Sequence, residues 1–206
     1  PVKTARFANV AFSNGSLPAG FLARISRLQP LSAPSDVRRY FVSPEESGQI
    51  CLLSCILGEN RAIFFPKLAE AQMMTFDAIG TELLKAHGYK VLECASEEEA
   101  IRKSEDLKKG SGLYPVHYAV SDTSGEKPFE EFVTAAESVN YDSFKALGVI
   151  TGKEIPDKEK ISVLFRDLEA AFAEPKTTKA EIIAIMQDYL PDFEHIETGR
   201  SLDNKM

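Results

Sequence analysis

An α/β fold with a mainly helical C-terminal appendage is what this sequence predicts, on three observations. Short apolar runs bounded by turn residues, among them Thr4–Phe12, Arg61–Pro66 and Tyr114–Val120, alternate with stretches of helical period. Several helical stretches open on a hydroxyl residue followed three positions later by Glu, the capping-box arrangement. Late in the chain the strand-like runs give way to two amphipathic stripes, so the organisation expected is residues 1–136 and a helical hairpin with its tail over 137–206.

Composition narrows the partners. The 206 residues carry a net charge of −7, and 44% are hydrophobic, an ordinary globular fraction that permits a sizeable core. Lys and Arg are dispersed rather than clustered, which argues against nucleic acid. No apolar run approaches the roughly 20 residues of a membrane span. No basic segment followed by an apolar core opens the chain, so neither a signal peptide nor a membrane partner is expected, and a cytoplasmic location is. The chain starts without Met, directly in a core-like strand, as a fragment of something longer would.

The first element is a strand over Thr4–Phe12, broken at Ser13-Asn14-Gly15-Ser16 and followed by a helix entered through Pro18. A strand, a small polar Gly-containing turn and a helix can bring backbone N–H groups to a phosphate. The same residues can equally be a plain turn with Ser16 as N-cap. Phe21, Leu22, Ile25 and Leu28 give that helix its buried stripe, Arg24 and Arg27 lie off it, and Pro30 stops it. Leu31–Ala33 is a short extended piece and Val37–Val42 a strand.

Ser43-Pro44-Glu45-Glu46 supplies an N-cap, Pro at the first helical position and Glu two residues on. The helix so begun should carry Ile50, Leu53, Ser54 and Leu57 inward and end at Gly58. Cys51 and Cys55 share one of its faces without further ligands nearby, and with Cys94 they read as buried free thiols. Arg61–Pro66 is a strand, Met74–Gly88 a helix with Thr75 as cap, and Tyr89–Cys94 a strand. Ser96–Glu99 opens a charged helix to about Lys109, and Gly110-Ser111-Gly112 breaks it.

Tyr114–Val120 is a half-buried strand leading into the polar turn Asp122–Phe132, and Asn140–Gly152 is ambiguous. Lys158–Ala173 is a helix with Ile161, Leu164, Leu168 and Phe172 as its stripe. Thr178 and Glu181 cap another, which turns Ile182, Ile185, Met186 and Tyr189 inward. Ser201–Met206 is a loose tail.

No G-x-G-x-x-G, Walker or nucleophile-elbow motif is present. His87, His117 and His195 lie in unrelated segments and read as satisfied or surface histidines. Glu130-Glu131 reads as a solvated face. Residue spacing therefore points to anion-binding turns and assigns no catalytic residue and no metal ligand.

Four segments, in order, resemble one family. Ala5-Arg6-Phe7-Ala8-Asn9-Val10 running to Ser13-Asn14-Gly15-Ser16 is similar to R-Y/F-G-N-V-x-x-S-x-G-S. Arg38-Arg39-Tyr40-Phe41-Val42-Ser43 is similar to T-R-F/Y-F-I-T, Ile63-Phe64-Phe65-Pro66-Lys67 to I-F-V-P-K, and Gly125-Glu126-Lys127 with Glu130 to R-P-G-E-K-x-x-E. Glu197-Thr198-Gly199-Arg200-Ser201-Leu202-Asp203 looks like the tail of one branch. The chain thus resembles the C-terminal half of the UDP-N-acetylglucosamine 4,6-dehydratase-like proteins, extended short-chain dehydrogenases of polysaccharide biosynthesis.

The resemblance implies a nucleotide-sugar substrate bound between this half and an N-terminal Rossmann half carrying NAD or NADP. Asn9 would meet the pyrophosphate or sugar, with Ser13, Asn14, Gly15 and Ser16 close to the nucleotide. Arg39 would approach the nucleotide end, and Glu126 with Lys127 would close on ribose or phosphates. Residues 1–136 would be the substrate-binding portion, and 137–206 would serve contacts in a homo-oligomer. The implied reaction oxidises the sugar at C4, eliminates water across C5 and C6, and returns hydride to C6. The cofactor loop, the Y-x-x-x-K pair and the catalytic acid and base would precede Pro1, leaving this half catalytically silent alone. A C4 epimerase of the same superfamily and a non-catalytic nucleotide-sugar-binding or assembly module are the alternatives. Two departures stand out: Asp122-Thr123-Ser124 replaces the arginine before P-G-E-K, and Ala8 replaces the glycine before Asn9.

Overall fold

The computed structural model describes residues 1–124, 126, 129–152, 155–190, 193 and 195–199. In chain order the elements are β1 (Thr4–Ala5), β2 (Asn9–Val10), α1 (Leu17–Ser26), β3 (Leu31–Pro34), β4 (Arg38–Arg39), β5 (Phe41–Val42) and α2 (Pro44–Leu57). There follow β6 (Ile63–Pro66), β7 (Met74–Thr75), α3 (Phe76–Ala86), β8 (Lys90–Glu93), α4 (Glu97–Lys103) and β9 (Leu113–Ala119). β10 (Ser138–Asn140), β11 (Leu147–Thr151), α5 (Lys158–Ala173) and α6 (Lys179–Tyr189) complete the chain. The fold is α/β, with parallel strands and flanking helices.

Two compact units divide these elements. One spans Pro1–Ser121 and Lys127–Lys153; the other joins Asp122–Glu126 to the segment from Glu154 onward.

Within the first unit a four-stranded sheet runs β1-β6-β11-β10, parallel between β1 and β6 and antiparallel thereafter. β10 and β11 form a hairpin that extends this sheet and takes in most of Asn140–Gly152, ambiguous in the sequence. A second sheet, β3-β9-β8, is parallel throughout, and its central strand β9 reads YPV at its most buried point, as a strand covered on both faces should. Phe21 and Ile25 of α1, Leu84 of α3, and Leu31, Tyr114 and Val116 of this sheet form the main core. Ile50, Ala62, Phe64, Leu147 and Val149 form another under α2.

Helix starts follow the caps expected of them. Ser16 Oγ accepts the Ala19 amide, Ser43 and Glu46 make the reciprocal capping box, and Thr178 with Glu181 makes another. Thr75 occupies the N-cap of α3 without a side-chain bond to it.

Four expectations are corrected. Thr4–Phe12 is two strands in different sheets, because β1 pairs with β6 whereas Asn9 turns to pair with β5. Val37–Val42 splits likewise, β4 pairing with β7 and β5 with β2. Alternation marks extended backbone but is silent about which neighbour each residue takes. Helix α2 buries Ile50 and Ser54, while Leu53, Leu57, Cys51 and Cys55 are exposed; its ICLLSCIL run is apolar on every side, so periodicity could not orient it. Only Cys94 is buried, and burial pushes its thiol up.

The second unit is a helical hairpin in which α5 and α6 pack together. Neither helix fully buries a residue, and Phe172, placed in the inward stripe by its spacing, is 70% exposed. The loose tail expected at Ser201–Met206 lies outside the described residues.

Candidate functional site

Asn9 sits half-buried in β2, its amide donating to the Tyr40 carbonyl at 3.1 Å and its register partner being Phe41. That parallel pairing sets Asn9 opposite Phe41, two residues after Arg39, which itself pairs with Met74 of β7. Beyond Val10 the chain turns sharply. Phe12 takes a left-handed backbone (φ 57°), and Gly15 does so too at φ 80°. A bulky residue in that region costs about 1–2 kcal/mol, strain of a kind that gathers around functional turns.

The turn spends many of its donors internally. The Ser13 amide donates to Val10, Ser16 to the Ser13 carbonyl, Gly20 to the Ser16 carbonyl and Ala19 to Ser16 Oγ. Pro18 has no N–H to offer. Ser13 is half-buried on this turn and Asn14 is exposed.

Arg39 is the cation of this region, its side chain only 12% exposed. Its Nη1 donates to the Arg38 carbonyl at 2.9 Å, and its Nε lies 3.5 Å from Glu130 Oε2. Glu130 is therefore not the solvated-face residue that its adjacency to Glu131 suggested. It holds the guanidinium from across the fold.

The segment carrying Glu130 is itself strapped down. Phe132 stacks on Tyr40 and on Phe65 at 5.3 and 6.1 Å. Arg6, from the turn between β1 and β2, donates to the Phe132 carbonyl at 2.9 Å and makes a two-pronged bond to Glu137. Glu137, 2% exposed, also accepts the Thr134 amide at 2.9 Å. Neither Arg6 nor Glu137 was singled out by chemistry in the sequence, since no local pattern links residues 131 positions apart. Beside the strap lies a cleft of about 480 Å³ lined by Phe65, Lys67, Leu68, Glu131, Phe132 and Tyr141.

Glu126 belongs to the second unit, half-buried, after a loop in which Ser124 bonds the segment Glu197–Thr198. Gly125 and Lys127 lie outside the described residues. Each histidine has a partner: His87 Nδ1 meets the Leu83 carbonyl, His117 Nδ1 the Cys94 carbonyl, and His195 Nε2 Glu197. Among the described residues no group of three or more His, Cys, Asp or Glu could hold a metal ion, and no helix is long and apolar enough to cross a membrane.

The model of a family described as polysaccharide biosynthesis protein matches residues 2–151. No curated protein matches the chain significantly. Among solved structures, Pen from Bacillus thuringiensis is similar at 17% identity and a TM-score of 0.49, over 81% of this chain and 50% of that one. The chain therefore spans about half the length of that neighbour. Parallel-strand sheets with flanking helices are consistent with the C-terminal part of a short-chain-dehydrogenase-like domain. With the match extending over well more than half of its 206 residues, the chain belongs to the polysaccharide biosynthesis protein family.

Proposed function

We propose that this chain is the substrate-binding half of a nucleotide-sugar 4,6-dehydratase, acting with NAD or NADP on UDP-N-acetylglucosamine in surface polysaccharide or glycan biosynthesis. The observation that carries this reading is the setting of Arg39. The Arg39 guanidinium, 12% exposed and 3.5 Å from Glu130, belongs to a residue two positions from Phe41, the register partner of Asn9, and guanidinium is the side-chain group best suited to a pyrophosphate. Asn9 contributes an amide to the sugar or pyrophosphate. Ser13, Asn14, Gly15 and Ser16 are assigned to the nucleotide, and Glu126 and Lys127 to the ribose or phosphates.

The turn at Ser13–Ser16 is not the glycine-rich G-x-G-x-x-G loop that holds a dinucleotide. The cofactor and the proton-transfer groups are accordingly assigned to a Rossmann half of the same protein, and this half supplies position and charge. The edge position of parallel strand β1, together with the exposed Leu52, Ile56 and Leu57 of α2, supports such a partner. Exposed Phe165 and Phe172 of α5 support contacts between copies in a homo-oligomer.

The test is mass spectrometry of the product made by the full-length protein from UDP-N-acetylglucosamine. Loss of one water is expected; an isomer of unchanged mass would replace the dehydratase with an epimerase. A native polypeptide without a Rossmann half would leave a nucleotide-sugar-binding module.

A further inference from the structure

Ser124 and Thr198 are 74 residues apart, yet their hydroxyl oxygens lie 3.0 Å from each other. Ser124 Oγ accepts the Thr198 amide at 3.1 Å and donates to Glu197 Oε1 at 2.7 Å. Thr198 Oγ1 donates to the Asp122 carbonyl at 2.5 Å. Glu197 is anchored in turn. It accepts from Lys179 Nζ at 2.5 Å, from the Gly199 amide at 2.8 Å and from His195 Nε2 at 3.1 Å. With Lys179 as the largest influence and Ser124 next, these donors hold its carboxyl well below the usual carboxylate range.

Two separate features of the sequence meet in this cluster. One is the Asp122-Thr123-Ser124 triplet that stands where related motifs carry arginine. The other is the Glu197-Thr198-Gly199 tail. We infer that Glu197 and Thr198 form a latch on residues 122–124, so that Ser124 and Thr198 are positioning residues for Glu126 of the same compact unit. This rests on the proposal above that Glu126 contacts substrate.

The physical gain is preorganisation. Ordering a loop residue costs about 1–2 kcal/mol of backbone entropy. A loop of small hydroxyl residues has little packing of its own to offset that, so an unlatched loop would meet the cost when substrate binds. The tail moves it into folding. Ser124 stands at the motif's proline position, and proline offers no hydroxyl to bridge Glu197 and the Thr198 amide as Ser124 does.

Thr198→Val removes the hydroxyl at nearly constant volume, and Thr198→Ser keeps it. In the full-length protein, amide exchange of the peptide spanning 121–127 and the KM and kcat for UDP-N-acetylglucosamine should be measured for both, with Ser124→Ala as a second route. Thr198→Val is expected to speed loop exchange and raise KM about five- to tenfold, the scale of a lost hydrogen bond, with kcat and melting temperature unchanged. Thr198→Ser should restore both readouts. Unchanged loop exchange in Thr198→Val and Ser124→Ala overturns the latch. Faster exchange at an unchanged KM overturns the positioning role. If the unaltered protein neither binds nor turns over the nucleotide-sugar, the proposed function fails, and loop exchange alone then decides whether the latch exists.

Discussion

Arg6 and Glu137 meet through two parallel hydrogen bonds of 2.8 and 2.7 Å, one from each terminal nitrogen of the guanidinium to one carboxylate oxygen. Arg6 lies between the strand that starts the four-stranded sheet and the strand that carries Asn9. Glu137 closes the strap that carries Glu130 and Phe132. One ion pair therefore ties the frame of the sheet to the segment that holds Arg39 in place.

Glu137→Ala should destabilise the first unit by about 2–3 kcal/mol. Removing one partner of a fully buried pair costs about 3–5 kcal/mol, and the 37% exposure of Arg6 lets water recover part of that. Urea denaturation monitored on the full chain measures it. A loss below about 0.5 kcal/mol, as at an exposed pair, would show that the strap is held by its aromatic stacking instead.

Arg39→Ala is expected to weaken binding of UDP-N-acetylglucosamine to the full-length protein by about 1.5–3 kcal/mol, the range for hydrogen bonds to charged groups. Calorimetric titration reads this directly, and unchanged affinity takes Arg39 out of the site.

Asn9→Ala should lower turnover while the thermal transition stays in place. The β2–β5 pairing runs through backbone atoms that alanine retains, beginning with the Asn9 amide bonded to Tyr40. A collapse of the melting temperature would assign the Asn9 side chain to the frame.

Tyr114 is fully buried at the centre of β9 and donates to the Gln29 carbonyl at 2.6 Å. Burial, with smaller help from Tyr89, pushes its hydroxyl up to about 12 from an ordinary value near 10. A raised pKa favours the protonated form in the folded state, so this stabilisation is complete below about pH 10 and fades as pH climbs towards 12. Burial also raises the Tyr118 hydroxyl, so ultraviolet titration should show late-ionising tyrosines, of which Tyr114→Phe removes one. A titration identical in the two proteins would contradict the assignment.

Gly148→Ala should destabilise the four-stranded sheet by about 1–3 kcal/mol through overpacking. A Cβ there would stand 2.2 Å from the Phe65 ring, which is buried opposite it in the β6–β11 register. Stability equal to the parent would mean that the ring can turn aside. Phe65→Leu in the same background should recover part of the loss.

The elements legible in the residues are those whose signals are short-range. Ser43 with Glu46 and Thr178 with Glu181 announce helix starts, because a cap is a bond between residues three apart. The family motifs likewise marked Asn9, Arg39 and the Ser13–Ser16 turn as a group, and strand pairing sets Asn9 opposite Phe41 and Arg39 opposite Met74.

Partners were not legible. One apolar run, Thr4–Phe12, serves two sheets, since a strand's own alternation does not encode the neighbour that accepts its amides. Helix α2 is apolar all round, so only packing against β1 and β6 selects its Ile50–Ser54 line as the buried one.

The same division holds for charge. The sequence establishes an acidic chain with dispersed cations, α/β alternation, well-marked helix caps and the order of the family motifs. Folding then selects which polar groups meet: Arg39 with Glu130, Arg6 with Glu137, Ser124 with the Glu197 tail. Those pairings bridge 73 to 131 residues in the second and third cases. Coulomb attraction and hydrogen bonding act over a few ångströms, so such pairs exist once sheet register and helix packing have brought their backbones together.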